Sequence, residues 1–349
     1  MRLSRAARNH ILETAGRLTI RDGIAGGLEI RLFEDIYVNV PVKEGFVAFS
    51  PFELDVTDHS TFILHENGIA VTEVALPSQH LFWGRKFGSV EGLNTIGHVN
   101  TDRLGLYPFR SCKYTHKNGT ACRFCEIGYM PSYAKVPVSD AVDLVKRCQN
   151  ELPQVRHILI SGGAPPDLNW DYYLEFAAGI RAATDMPIYM MMEPPPEVTW
   201  IDRVHETGID EIGINMEVYD PVLAMEMMPG KGAIPRSKYF ETLERAVSRW
   251  GAKGAVRSIM LVGLEPQENT LAGIEALASR QVMPILSPFR PVPGTGLSGI
   301  PVPSPEDMRR VWEEGQEICE RYGMTLGPLC TACQNNTISL PVNGSYRHY

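Results

Sequence analysis

Between about residue 104 and about residue 325 the chain alternates short apolar runs with longer amphipathic ones, and few folds accept that order. The apolar runs lie at 104–110, 155–161, 188–192, 211–216, 256–262 and 283–289. The amphipathic stretches lie at 139–151, 170–183, 198–207, 236–251, 270–279 and 305–322. Strands that alternate with helices pair in parallel through right-handed crossovers. The six units fall short of eight-fold closure, so the spacing predicts an α/β fold: a partial (βα)6 TIM-type barrel, partly open. Ser139 is the expected N-cap of the first helix, and Gly323 is placed to end the last one. In such folds chemistry collects where the strands end at their C-terminal side.

Residues 1–100 read differently, as a smaller N-terminal mixed or mostly β subdomain. Runs 61–64 and 69–76 flank Asn67-Gly68, a strong signal for a two-residue hairpin turn. The barrel is expected over 101–325, followed by a C-terminal cysteine-containing extension, 326–349. A net charge of −8 disfavours nucleic acid as a partner, because phosphate binding draws on clustered Lys and Arg. The first residues lack the apolar core of a secretory signal, and no run reaches the ~18 apolar residues of a membrane span. A cytoplasmic setting without a membrane partner is therefore expected. The seven cysteines are odd in number and mostly clustered, which suits metal ligands better than a disulfide framework.

The loop after the first barrel strand carries Cys112, Cys122 and Cys125, with Phe124 just before the last cysteine. Soft thiolates select zinc or iron–sulfur clusters, and a Cys-x-x-Cys pair is a half-site for either. Three thiolates can hold three corners of a cubane cluster and leave one iron open. The plain alternatives are a zinc site or buried thiols.

At this point the sequence resembles the radical S-adenosylmethionine (SAM) enzymes, whose cysteine loop follows the first barrel strand and ends in Cys-x-aromatic-Cys. Nine residues separate Cys112 from Cys122, where the usual family spacing is three, although longer first gaps occur in the superfamily. Later segments match in order. Ser161-Gly162-Gly163-Ala164-Pro165 resembles the family's Gly-Gly-Glu-Pro turn, whose backbone receives the SAM amino group. Glu217 ends the fourth strand, and it either contacts SAM or pairs with an arginine such as Arg257. Gly263 and Leu264 resemble the motif that lines adenine and ribose, with Glu265 beside them. Arg257 and Arg290 are candidates for a carboxylate of SAM or substrate. The resemblance implies a [4Fe–4S] cluster on Cys112, Cys122 and Cys125, with SAM on the open iron. It also implies reductive SAM cleavage to a 5′-deoxyadenosyl radical, an external flavodoxin or ferredoxin as electron donor, and a small-molecule substrate. The size and C-terminal cysteines are also similar to a bacterial radical SAM group encoded beside nitrilases.

A second pair, Cys330 and Cys333, follows the last helix and reads as a possible second metal site or redox pair, with Cys319 as a third ligand. A second cluster there would allow sulfur insertion in the style of biotin synthase. The non-enzymatic alternatives are an iron–sulfur regulator, or a zinc staple joining Cys122/Cys125 to Cys330/Cys333. The run Gln334-Asn335-Asn336 either binds a substrate or satisfies a turn, and His116 is expected to be solvated rather than a ligand.

Overall fold

In the computed structural model the described residues are 1–18, 27–32, 36–77, 96–109, 111–129, 135–165, 170–251, 254–330 and 332–339. The N-terminal part comprises β1 (Arg2–Leu3), α1 (Arg5–Ala15), β2 (Leu28–Leu32), β3 (Ile36–Val40), β4 (Phe52–Val56), β5 (Phe62–Glu66) and β6 (Ile69–Ala75). Its strands form one sheet in the order β1-β4-β5-β6-β2-β3. The expected hairpin is β5–β6, with Asn67 and Gly68 at φ 49° and 83°, as its tight turn requires. Helix α1 was not legible as a helix. Ser4 caps it, and its buried stripe is only Ala7, Ile11 and Ala15.

The second sheet begins with β7 (Gly97–Asn100) and β8 (Arg103–Leu106), and the cluster loop follows with the short helix α2 (Lys113–His116). Then come α3 (Val138–Glu151), β9 (His157–Ile160), α4 (Trp170–Ala183), β10 (Ile188–Met192), α5 (Trp200–Glu206) and β11 (Glu211–Ile214). Two short helices, α6 (Pro221–Met227) and α7 (Pro229–Gly232), precede α8 (Arg236–Trp250), β12 (Val256–Val262), α9 (Gln267–Ala278), β13 (Met283–Pro288) and α10 (Pro305–Arg321). The strand order is β13-β12-β11-β10-β9-β8-β7, with β8 to β13 parallel and β7 antiparallel at one edge. This is the predicted partial barrel. Its strands are buried on both faces, as all four residues of β9 and of β11 are, which is why they read as largely apolar runs.

Two details depart from expectation. Ser139 does not cap α3: Pro137 holds the N-cap position, and the Ser139 hydroxyl turns to Asp140. Pro284 lies inside β13, which is tolerable because β13 is an edge strand. The segment after α10 then covers that edge, with Gly327 N–H donating to Pro284 O and Ile338 N–H to Leu286 O. The same route carries Cys330 and Cys333 into the barrel. From the N-terminal sheet, buried Glu29 accepts from Thr101 N at 2.7 Å and from Asn335 Nδ2. Asn335 therefore serves this buried contact, whereas Asn336 lines the barrel cavity. Among the described residues no helix is long and apolar enough to cross a membrane.

Candidate active site

Cys112 occupies the N-cap position of α2, just beyond the C-terminal end of β8. The turn after β9 packs directly on it. Ala164 N–H points at Cys112 Sγ (3.3 Å), and Lys113 N–H donates to Ala164 O (3.0 Å). A Cβ on Gly163 would lie 2.3 Å from Ser111 O and 2.5 Å from Cys112 Cα, so only glycine fits here. Glu193, at the end of β10, secures the start of the loop. It pairs with Lys113 at 2.6 Å and accepts from the Tyr114 hydroxyl at 2.7 Å. Burial, followed by the Glu193 charge, pushes the Tyr114 phenol far above its ordinary value.

The far end of the loop is pinned from other elements. Arg123 N–H donates to Met227 O (2.8 Å), Leu297 N–H to Arg123 O (3.1 Å) and Gly230 N–H to Thr120 O (3.0 Å). Cys122 and Phe124 pack on an apolar patch that includes Val218, Met228, Leu264 and Phe289. Phe124 thus seats the last turn of the loop, and Leu264 contributes to that seat.

All three loop thiols are half-buried. Burial raises the pKa of each, that of Cys125 to about 11. Cys122 and Cys125 also feel the negative charge of their companions, so the three sulfurs share one neighbourhood. Among the described residues, however, they are not gathered within 4.8 Å of one another as a single ion requires. Three soft thiolate donors on one loop are the donor set that holds three corners of a cube. The residues present therefore fit a [4Fe–4S] cluster, whose uptake must release the thiol protons.

Glu217 follows β11 with φ 66°, a conformation uncommon for a side-chain-bearing residue. Its backbone stays tied to β12 through Ile259 O (2.8 Å) and Leu261 N (2.7 Å). Its carboxylate meets Lys231 of α7 at 3.0 Å. Burial, the largest single influence, lowers the lysine pKa, but the Glu217 charge and hydrogen bond together with Tyr239 and Cys122 outweigh it, and the net shift is upward. The expected partner, Arg257, is elsewhere. It lies near the start of β12, buried, ion-paired with Glu211, stacked over Tyr189 and donating to Gly254 O at 2.8 Å. Arg290 likewise pairs with Glu44 of the N-terminal part. Glu265 accepts from the backbone N–H groups of Tyr219 and Asp220, while Gly263 is exposed beside Pro303.

A cavity of about 280 Å³ runs inside the barrel from Gly162 and Gly163 past Tyr189, Met191 and Arg257 to Arg103 and Cys333. Cys333 and Cys330 gather with His157, the first residue of β9, their ligand atoms all within 4.8 Å. Hydrogen bonding from Cys330, with His157 and Arg103 nearby, pulls the Cys333 thiol well below its ordinary pKa. This corrects two expectations. Cys319 belongs to the apolar core and the third member is His157. The four-thiolate staple is also lost, because Cys330 and Cys333 group with His157 while Cys122 packs in the apolar patch around Leu264.

The Radical SAM superfamily model matches residues 109–277, a span that takes in the cluster loop, the glycine pair and Glu217. Residues 109–277 are a domain of the radical SAM superfamily. Radical SAM enzymes bind a [4Fe–4S] cluster and SAM, cleave SAM by radical chemistry and draw electrons from a reductant. The chain is 25% identical to the bacteriochlorophyllide c C-7(1)-hydroxylase of Chlorobaculum limnaeum, over 84% of each protein. It is 30% identical to the cyclic dehypoxanthine futalosine synthase of Halalkalibacterium halodurans, over 36% of this chain and 32% of that one. HydG, a maturase of the [FeFe]-hydrogenase, matches in fold with a TM-score of 0.51 at 15% identity, over 64% of this chain. The chain spans about half the length of HydG.

Sequence reasoning missed Lys231, Glu193 and His157 as members of these sites. Asp220-Pro221 and the later Pro229 were available helix-start signals for α6 and α7, and α7 delivers Lys231. A test of the Glu193 role follows from the radical SAM domain. In Glu193→Ala the start of the loop loses both anchors, and iron retained after anaerobic gel filtration is expected to fall several-fold with the melting temperature of the barrel little changed. Full iron retention would leave Glu193 without that role.

Proposed function

We propose that this chain is a cytoplasmic radical SAM enzyme in which Cys112, Cys122 and Cys125 hold the cluster and a small molecule is the substrate. The observation that carries the reading is the close packing of Gly163 on Cys112. It puts a backbone free of side chain beside the open corner, where the SAM amino group needs acceptors. A cluster held by Cys112, Cys122 and Cys125 would supply the one electron needed to break the SAM C–S bond, giving methionine and a 5′-deoxyadenosyl group able to abstract hydrogen from substrate. The protein orients and shields. Gly162 and Gly163 offer backbone to the methionine end, Glu217, with Oε1 on Lys231, has Oε2 for a hydroxyl group of SAM, and Gly263 and Leu264 flank the nucleoside. Arg257, committed to Glu211 inside the cavity, is better suited to shaping the substrate site than to gripping SAM.

The substrate class follows from the cavity wall. Arg103, Arg257 and Arg290 line it, and no carboxylate does among the described residues. Arg257 and Arg290 are already paired with Glu211 and Glu44 behind the wall, so the lining offers a substrate polar donors without a large net charge. The cavity volume is near the lower end of the ~300–1,000 Å³ typical of ligand pockets, which favours a small metabolite. The Chlorobaculum relative is named for a hydroxylation, a reaction that hydrogen abstraction can begin. We carry over the abstraction and not the macrocycle. A flavodoxin or ferredoxin is the proposed electron donor. Sulfur insertion would need a second cluster at Cys330 and Cys333, whose ligand atoms gather with that of His157 within 4.8 Å.

Anaerobic reconstitution with iron and sulfide, reduction, and assay for 5′-deoxyadenosine test this reading. SAM cleavage that depends on reductant is expected. An intact, reducible cluster that leaves SAM uncleaved would overturn the enzyme in favour of a regulator.

A further inference from the structure

We infer that His157, Cys330 and Cys333 form a binding site for a single zinc ion, separate from the cluster loop and open toward the barrel cavity. The donor atoms all lie within 4.8 Å of one another, and all three residues are buried. His157 Nε2 stands 3.1 Å from Cys333 Sγ. In a tetrahedral zinc site with ordinary Zn–N and Zn–S bonds that separation is about 3.5 Å, so uptake needs only a few tenths of an ångström of spreading. Two thiolates and an imidazole are the donor set of a borderline-soft ion, and with zinc they make a site of zero net charge. Such a site tolerates burial.

The surroundings of His157 provide a second, independent observation. Asp102 Oδ1 lies 3.7 Å from Nδ1, on the side of the ring away from the sulfurs. Asp102 is itself held by Arg156 at 2.6 Å. At 3.7 Å this is an electrostatic contact, and a closure of about 1 Å or less would bring the carboxylate to the hydrogen bond that orients metal-bound histidines. The cysteines reach the site on one tight turn, Cys333 N–H donating to Cys330 O at 3.1 Å.

Protein ligands fill three positions, and the cavity wall includes Cys333. The fourth position therefore faces the cavity and takes water or a donor atom of the small molecule held there, as in zinc sites that keep one position open. The inference does not depend on SAM cleavage.

The test uses the full chain with Cys112→Ala, Cys122→Ala and Cys125→Ala, so that the loop cannot contribute metal. Purified from zinc-supplemented medium, it is expected to carry one equivalent of zinc and no labile sulfide. Cobalt exchanged for zinc should give tetrahedral d–d bands and a thiolate-to-cobalt charge-transfer band. Adding His157→Ala or Cys333→Ser should remove the ion, with circular dichroism reporting whether the fold persists. Adding Asp102→Asn should weaken zinc about tenfold or more. No zinc in the folded loop variant, a brown iron–sulfide chromophore in its place, or cobalt spectra without thiolate charge transfer would each overturn the inference.

Discussion

Gly163→Val is expected to remove cluster binding, and SAM cleavage with it, while most of the barrel stays folded. The added side chain would begin 2.3 Å from Ser111 O and 2.5 Å from Cys112 Cα. Both are backbone atoms, so no rotamer change can relieve the clash. Overpacking of this kind costs about 3 kcal/mol, and the loop can avoid it only by withdrawing Cys112 from the turn after β9. That withdrawal also breaks the contact from Ala164 N–H to Cys112 Sγ. Iron content after anaerobic reconstitution should fall to background. Gly299→Ala is the control, because a Cβ there meets nothing within 4 Å, and it should load normally. Wild-type iron content in Gly163→Val would contradict the placement of the loop.

Cys125→Ala is expected to abolish loading as completely, by a different route. It removes a donor without disturbing the fold, since the Phe124 seat among Leu264, Phe289 and Met228 remains. Two remaining thiols cannot hold a cubane against loss to solvent, so the purified protein should be colourless. Cys148→Ala is the matched comparison. Cys148 is buried in the core on α3, away from the loop, and its loss should leave iron content and colour unchanged. Retained brown colour and full iron in Cys125→Ala would refute the ligand assignment.

The barrel was legible because its strands are mostly apolar runs, with the polar residues at or near their starts. Those at 188–192 and 256–262, and the helix at 170–183, appear in the structure residue for residue. Ends set by local chemistry were harder. The first barrel strand stops at Leu106, not 110, where the chain turns toward Pro108 and the loop. Helix α9 starts at Gln267 because Pro266 occupies its N-cap position with the backbone already extended. At the site, order along the sequence pointed to the cysteine loop and the glycine pair, which the fold packs together through Gly163 and Cys112. Pairings between distant side chains left no such trace. Nothing near Glu217 announces Lys231, which reaches it from a four-residue helix. Nothing near Cys333 announces His157, which the topology brings there by feeding the C-terminal segment back into the barrel. Arg257 misled for the opposite reason: it follows a strand start, not a strand end, and so faces Glu211.

The central claim is that three cysteines leave one iron corner open beside Gly162 and Gly163. Electron paramagnetic resonance of the reconstituted, reduced protein with and without SAM tests it most directly. The account predicts a [4Fe–4S]⁺ signal whose g-values shift when SAM is added, and whose shift disappears in Gly163→Val even under conditions that force partial loading. A cluster signal indifferent to SAM, or iron-free protein carrying zinc on Cys112, Cys122 and Cys125, would contradict it.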